Sequence, residues 1–224
     1  MDYINLVLIL LDIEKYALAH PKDLPAKISS YVLENLDNLK QGSKILDIGC
    51  AEGATIKFLF NRYGKKFEYT GIDLSKERII IAKSKKIPNS NFIDSNGEDI
   101  PLKDSSYDCI LCSQVLEHVE DENKLLSEIH RLLKPSRIFQ IDTVFKKKWA
   151  WYFYRAPIGW AIDPTHLREY TDIEEVRNLV ERNGLSVKSI HIERDTRNLK
   201  QIGLINLEIP IPGYYTLFIE GTIK

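Results

Sequence analysis

Cysteine is scarce in this chain: three residues in 224, Cys50, Cys109 and Cys112. So small and odd a number cannot staple a secreted scaffold, and it favours a reducing, cytoplasmic setting. An excess of charge of one sign is also lacking, since 31 Lys+Arg against 32 Asp+Glu leave a formal net charge of −1. No global field draws in nucleic acid or an anionic membrane, so any such partner would have to use a local patch. Long hydrophobic runs are missing too. The apolar stretch Ile4 to Leu11 follows Asp2 and precedes Asp12, Glu14 and Lys15, which suits neither a signal peptide nor the ~20 apolar residues of a membrane span. It predicts instead an N-terminal helix over residues 2–20 that covers the domain and ends at His20-Pro21, with peripheral membrane association as the alternative.

What is present is an ordinary globular composition, 44% hydrophobic and 28% charged, which excludes disordered and collagen-like chains and leaves room for a sizeable core. The length predicts one domain. From residue 44 the pattern alternates. Strands are expected at 44–48, 68–72, 90–93, 107–112 and 138–144, and helices at 54–63, 76–85 and 123–133. That rhythm predicts an α/β fold with a doubly wound, mostly parallel sheet and helices on both faces. A helix over 172–182 follows, with Thr171 as its cap and Gly184 as its stop, and then strands near 187–193 and 215–223. Residues 146–168 break the rhythm as a lid-sized insertion.

Only 11 glycines occur, so their placement is informative. Asp47-Ile48-Gly49-Cys50-Ala51-Glu52-Gly53 stands where a strand hands over to a helix. Small residues there let backbone N–H groups approach a ligand, and the helix N-terminus favours a carboxylate or phosphate. The small residues at 49, 51 and 53 do not match the dinucleotide spacing, and the Gly-Lys-Ser/Thr of a phosphate-cradling loop is absent. Asp73 ends the second strand 20 residues after Gly53, where a carboxylate can accept hydrogen bonds from both ribose hydroxyls of an adenosine.

These residues resemble the class I S-adenosylmethionine-dependent methyltransferases, in particular the small-molecule and ubiquinone-pathway O-methyltransferase types. Asp47, Gly49 and Gly53 match the family's acid-x-Gly-x-Gly-x-Gly loop, Ala51 departs from it conservatively, and Asp73 matches the ribose-binding acid. Asn96-Gly97-Glu98-Asp99-Ile100-Pro101-Leu102 is similar to the loop after the third strand, and Ser105 to Val119 to the fourth-strand motif. The resemblance runs from about Lys44 to Val144 and more weakly to about residue 193. It implies a seven-stranded Rossmann-like sheet. It also implies that S-adenosylmethionine contacts Asp47, Gly49, Ala51, Gly53, Asp73, Leu74, Asn96, Gly97, Glu98 and Ser113, leaving S-adenosylhomocysteine as product. Asn96 would accept from the adenine amino group and the Gly97 N–H would donate to a ring nitrogen. One domain, 1–224, is expected, with a helical cap (1–40), a cofactor-binding core (44–144), a lid (146–168) and C-terminal helix and strands (169–224).

Methyl transfer from a sulfonium is an in-line displacement in which the protein mainly supplies orientation and desolvation. A base is needed only for a protonated hydroxyl or amine. His118, just after the fourth strand, is the first candidate, against a reading as a capped helix-start histidine. His166, in the run Asp163 to Thr171, is the second, against a loop-ordering role. Gln114, Glu117, His118 and His166 are similar to the metal sets of small-RNA 3′-end and ubiquinone-pathway methyltransferases. Gln114 stands where those have a carboxylate and removes a charge the cation would want, so no metal is expected. Cys109 and Cys112, three apart in one strand, point to opposite faces and read as core. Lys146-Lys147-Lys148 reads by default as a solvated loop start; followed by Trp149 and Trp151 to Tyr154, it offers instead a lid over an aromatic or lipid-like acceptor, or a stacking platform for RNA. The expected partner is a small-molecule acceptor, methylated at oxygen. An RNA-modifying methyltransferase and a non-catalytic S-adenosylmethionine-binding subunit are the alternatives.

Overall fold

The structure, a computed structural model, describes residues 25–150, 154–156, 159–161, 165–198 and 208–223. The helix expected over 2–20 and residues 151–153, 157–158 and 162–164 of the 146–168 insertion lie outside the described residues. Five helices and nine strands are described: β1 Ser43–Ile48, β2 Phe67–Asp73, β3 Ser90–Asp94, β4 Tyr107–Ser113, β5 Leu133–Lys146, β6 Tyr154–Ala156, β7 Gly159–Ala161, β8 Leu185–Asn198 and β9 Glu208–Ile223. The helices are α1 Ser30–Asp37, α2 Ala54–Tyr63, α3 Lys76–Ser84, α4 Glu122–Leu132 and α5 Ile173–Arg182.

Side-chain caps mark where helices begin. Ser29, Ser75 and Asp121 accept the Val32, Arg78 and Asn123 N–H groups at the starts of α1, α3 and α4, satisfying donors that have no partner within a helix. The cap of α5 is Asp172, not Thr171: its carboxylate accepts the Glu174 N–H at 2.9 Å. Gly184 follows the end of that helix with a φ of +83°, as expected.

The seven-stranded sheet has the order β3-β2-β1-β4-β5-β9-β8. Four neighbouring pairs are parallel, but β9 runs antiparallel to both β5 and β8. The sheet is therefore mixed at one edge, where β9 runs against both of its neighbours. β6 and β7 form a separate two-stranded hairpin. The strands of the central parallel part are apolar on both faces because helices cover both. One core lies under α4 and α5 and the other under α1, α2 and α3. Cys109 falls in the second and Cys112 in the first, both buried and neither in a disulfide, as their odd offset predicts. Strand order reverses at β1 and β4, so the loops after these two strands part in opposite directions and leave a crevice at their carboxyl ends.

Candidate active site

The loop after β1 takes its shape from backbone geometry. Gly49 and Gly53 hold φ of +75° and +78°. A Cβ on Gly49 would come within 2.3 Å of Val115 Cγ2, so the β1 and β4 loops approach each other there as only glycine allows. The Gly49 and Cys50 N–H groups both donate to the Ile72 carbonyl at 2.9 Å. Ala51, where the resembled motif has glycine, also sits in the left-handed region at φ +46°. Asp73 holds it there: Oδ2 accepts the Ala51 N–H at 2.8 Å and Oδ1 accepts the Ser75 N–H at 2.9 Å. Asp73 thus locks the glycine loop to the start of α3, and further lone pairs on its oxygens can accept from a ligand. Leu74 beside it is 75% exposed.

The loop after β3 joins the same wall. Asn96 Oδ1 accepts the Glu98 N–H at 3.0 Å in a local turn, which leaves one lone pair and the amide N–H groups for other partners. Glu98 Oε1 accepts the Glu120 N–H at 2.8 Å, joining this loop to the one after β4.

Beneath these loops lies a buried acidic floor. Asp47 is fully buried at the end of β1, its Oδ2 has no hydrogen-bond partner, and burial with the Asp73 and Asp142 charges pushes its pKa up to about 8. Asp142 of β5 is likewise raised by burial, to about 7, against hydrogen bonds that favour its charge. Its Oδ1 accepts from Ser113 Oγ at 2.9 Å and Gln114 Nε2 at 3.1 Å. Ser113, a predicted cofactor contact, donates its hydroxyl proton to Asp142 and keeps its oxygen lone pairs for other partners. Gln140 ties the chain before α1 to this floor, accepting the Ser29 N–H at 2.9 Å and donating to the Lys27 carbonyl at 2.7 Å.

The far wall is built by two loops. Leu167 N–H donates to the Glu117 carbonyl at 2.9 Å, and the Arg168 guanidinium donates to the Leu116, Val119 and Glu120 carbonyls. This seam brings His118 and His166 ring to ring, centroids 4.9 Å apart. His118 lies in a turn, not at a helix start. Its Nδ1 faces the Thr165 carbonyl oxygen at 3.3 Å and Thr165 Oγ1 at 3.1 Å. His166, only 4% exposed, places Nδ1 2.8 Å from Glu169 Oε1. Glu117 is fully buried: one oxygen accepts from Thr143 Oγ1 at 2.9 Å and the other has no hydrogen-bond partner. Ligand-capable atoms of Glu117, His118 and His166 lie within 4.8 Å of one another, whereas the Gln114 amide turns to Asp142 instead.

The structure therefore gathers Asp47, Gly49, Ala51, Gly53, Asp73 and the 96–98 loop along the crevice, with both histidines on its far wall. Sequence reasoning did not single out Asp142 or Glu169. The signal for Asp142 was an acid within the apolar run Ile138 to Val144; Glu169 stood unassigned three residues after His166.

Residues 46–141 match the family model described as a methyltransferase domain. The Ubiquinone biosynthesis O-methyltransferase of Proteus mirabilis is 28% identical over 130 residues, covering 55% of this chain and 50% of that protein. A Demethylmenaquinone methyltransferase of Staphylococcus aureus is 30% identical over 124 residues, 51% of this chain and 52% of its own. The chain thus spans about half the length of these curated relatives. A SAM-dependent methyltransferase from Aquifex aeolicus superposes with a TM-score of 0.62 at 22% identity, covering 95% of this chain and 97% of that one. The YcgJ protein of Bacillus subtilis gives a TM-score of 0.66 at 19% identity over 87% of this chain and 97% of its own. The segment from residue 46 to residue 141 thus matches a methyltransferase-domain family, and the sheet that carries it has the fold seen in solved S-adenosylmethionine-dependent methyltransferases.

Proposed function

We propose that this protein transfers a methyl group from S-adenosylmethionine to a hydroxyl oxygen of a small molecule, of the quinol type that the relatives' names point to. The observation that carries the reading is the buried acidic floor under the glycine loop. Asp47 Oδ2 and Glu117 Oε1 are buried without hydrogen-bond partners, an arrangement that costs free energy unless a cationic group comes to rest there. S-adenosylmethionine carries both a sulfonium and an ammonium, and when bound it supplies an electrophilic methyl group. These residues fit it.

In this reading Asp73 accepts from the ribose hydroxyls while it holds Ala51 and Ser75. Asn96 and the Gly97 N–H face the adenine edge, and exposed Leu74 offers an apolar platform for its ring. Ser113 acts through Asp142, keeping that carboxylate in place. Each histidine directs Nδ1–H toward an oxygen, Thr165 for His118 and Glu169 for His166. Nε2 is then the basic nitrogen, able to take the acceptor's proton as the methyl group is transferred. The chain's own contribution is orientation, exclusion of water and this proton acceptor. The protein works in the cytoplasm.

Incubation with methyl-labelled S-adenosylmethionine and fractionated cell extract tests the proposal: label is expected in the small-molecule fraction, on oxygen. Label in the RNA fraction would replace it with RNA modification. Tight cofactor binding with no transfer, and a stable heteromer on purification, would replace it with a non-catalytic subunit. Titration calorimetry is expected to show binding of S-adenosylmethionine and not of NAD.

A further inference from the structure

The His166 imidazole is backed by a buried ion pair that the proposed chemistry has not yet used. Glu169 is 1% exposed at its side chain. Its Oε1 lies 2.8 Å from His166 Nδ1, and its Oε2 lies 2.6 Å from Lys146 Nζ, itself 17% exposed. The three residues come from two places in the chain that the backbone pins together. The Lys146 N–H donates to the Tyr170 carbonyl at 2.8 Å, and Phe145 bridges to Tyr170 at the end of β5. On the other side, the seam from Leu167 and Arg168 holds the same loop to residues 116–120. His166 therefore has its backbone fixed from one side and its ring from the other.

We propose that Glu169 is a positioning residue, acting through His166, and that Lys146 dictates how it does so. The proposal rests on the methyl-transfer reading for its kinetic consequence but not for its structural one. A carboxylate accepts only, so its oxygen against Nδ1 demands the Nδ1–H tautomer and leaves Nε2 as the basic nitrogen. At His118, Nδ1 meets a carbonyl and a hydroxyl of Thr165, neutral groups that hold a tautomer less firmly than a carboxylate does. The groups facing His166 are Glu117 and His118 from the loop after β4 and Glu169 from its own loop, with Lys146 of β5 behind Glu169.

Lys146 makes the idea sharply testable. In Glu169→Gln the ammonium still demands an oxygen, so the carboxamide must turn its NH2 toward His166 Nδ1. That donor forces the proton onto Nε2 and removes the basic nitrogen, with side-chain volume unchanged. In the double variant Lys146→Met, Glu169→Gln the ammonium no longer claims the oxygen, and the carboxamide can turn it back to His166. Nitrogen and carbon shifts of labelled histidine, assigned with a His166→Gln sample, read the tautomer in the protein without added ligand.

The expected results are Nδ1–H in the wild type, Nε2–H in Glu169→Gln, and return of Nδ1–H in the double variant. With S-adenosylmethionine and acceptor, Glu169→Gln is expected to lose about 10²- to 10⁴-fold in kcat, as tautomer inversion does elsewhere, with the cofactor KM unchanged and part of the loss regained in the double variant. A wild-type His166 carrying its proton on Nε2, or a Glu169→Gln enzyme with wild-type tautomer and kcat, would overturn the proposal. If the wild type methylates no acceptor at all, the methyl-transfer reading fails while the tautomer spectra still decide the role of Glu169.

Discussion

His118 and His166 each point Nδ1 at an oxygen of the 165–169 loop, and the consequence is a clean separation between binding and turnover. Both rings belong to the seam between the 116–120 and 165–170 loops, whereas Asp73 holds the glycine loop, so removing either leaves the bonds of the glycine loop in place. His118→Ala and His166→Ala are expected to lower turnover by about 10²- to 10⁴-fold, with S-adenosylmethionine affinity by calorimetry within about threefold. Unchanged turnover in one variant would remove that residue from the chemistry. Dialysis against EDTA is expected to leave turnover intact. A loss restored by added zinc or manganese would instead give the Glu117, His118 and His166 atoms to a cation. At this scale the sequence was most legible where backbone geometry decides. Gly49 and Gly53 need positive φ, and that need writes itself into local spacing. Asp142 and Glu169 were not legible, because an acid in a strand or loop reads the same whether buried or exposed. Only the pairing of β4 with β5 and the folding of the 165–170 loop onto β5 bury them.

The elements that carry the site are two loops stitched by one side chain. Arg168 donates to three carbonyls of residues 116–120 and also lies 3.6 Å from Glu122. Those carbonyls have no ladder partners, so the guanidinium supplies bonds that neither a strand nor a helix provides. Arg168→Ala is expected to cost about 2 kcal/mol, the scale of losing hydrogen bonds to a charged donor, and to lower Tm by roughly 4–8 °C for a domain of this size. Because the seam sets the distance between the histidines, kcat is expected to fall further than stability alone explains, and Arg168→Lys is expected to rescue little. A lysine presents a point charge rather than a fork. A variant with wild-type kcat would show that β5 and α5 position the loop unaided. The helices and parallel strands were readable from period alone, to within a residue or two for most of them. The reversed β9 was not: an apolar strand run carries no mark of its direction, which is set by how a strand is connected. The cap at Asp172 rather than Thr171 shows the same limit, since either side chain can cap and the φ and ψ of the turn choose between them.

Across the whole molecule the near-zero net charge conceals a strong local imbalance. The chain's charges nearly cancel, yet Asp47, Asp142 and Glu117 converge, buried, on one crevice. The cost of that convergence is visible in Asp47 and Asp142, whose pKa values burial raises to about 8 and about 7. A carboxyl raised on folding binds more protons in the native state than in the unfolded one. Stability therefore falls as pH rises from the unfolded value near 4 toward those folded values. Thermal melts without ligand are expected to show Tm declining from pH 5 to pH 8.5, and Asp47→Asn is expected to flatten that slope. A cationic ligand reverses the preference, because its charge favours the ionised carboxylates, so S-adenosylmethionine binding near pH 7 should release protons. Calorimetric titrations in phosphate and in Tris, buffers of very different ionisation enthalpy, are expected to differ in apparent binding heat, and the difference should shrink in Asp47→Asn. S-adenosylhomocysteine, lacking the sulfonium charge, is expected to release fewer. Equal heats in the two buffers, together with a flat melt profile, would mean that the acids are already ionised in the free protein. The acidic floor would then hold its charge without the ligand's help.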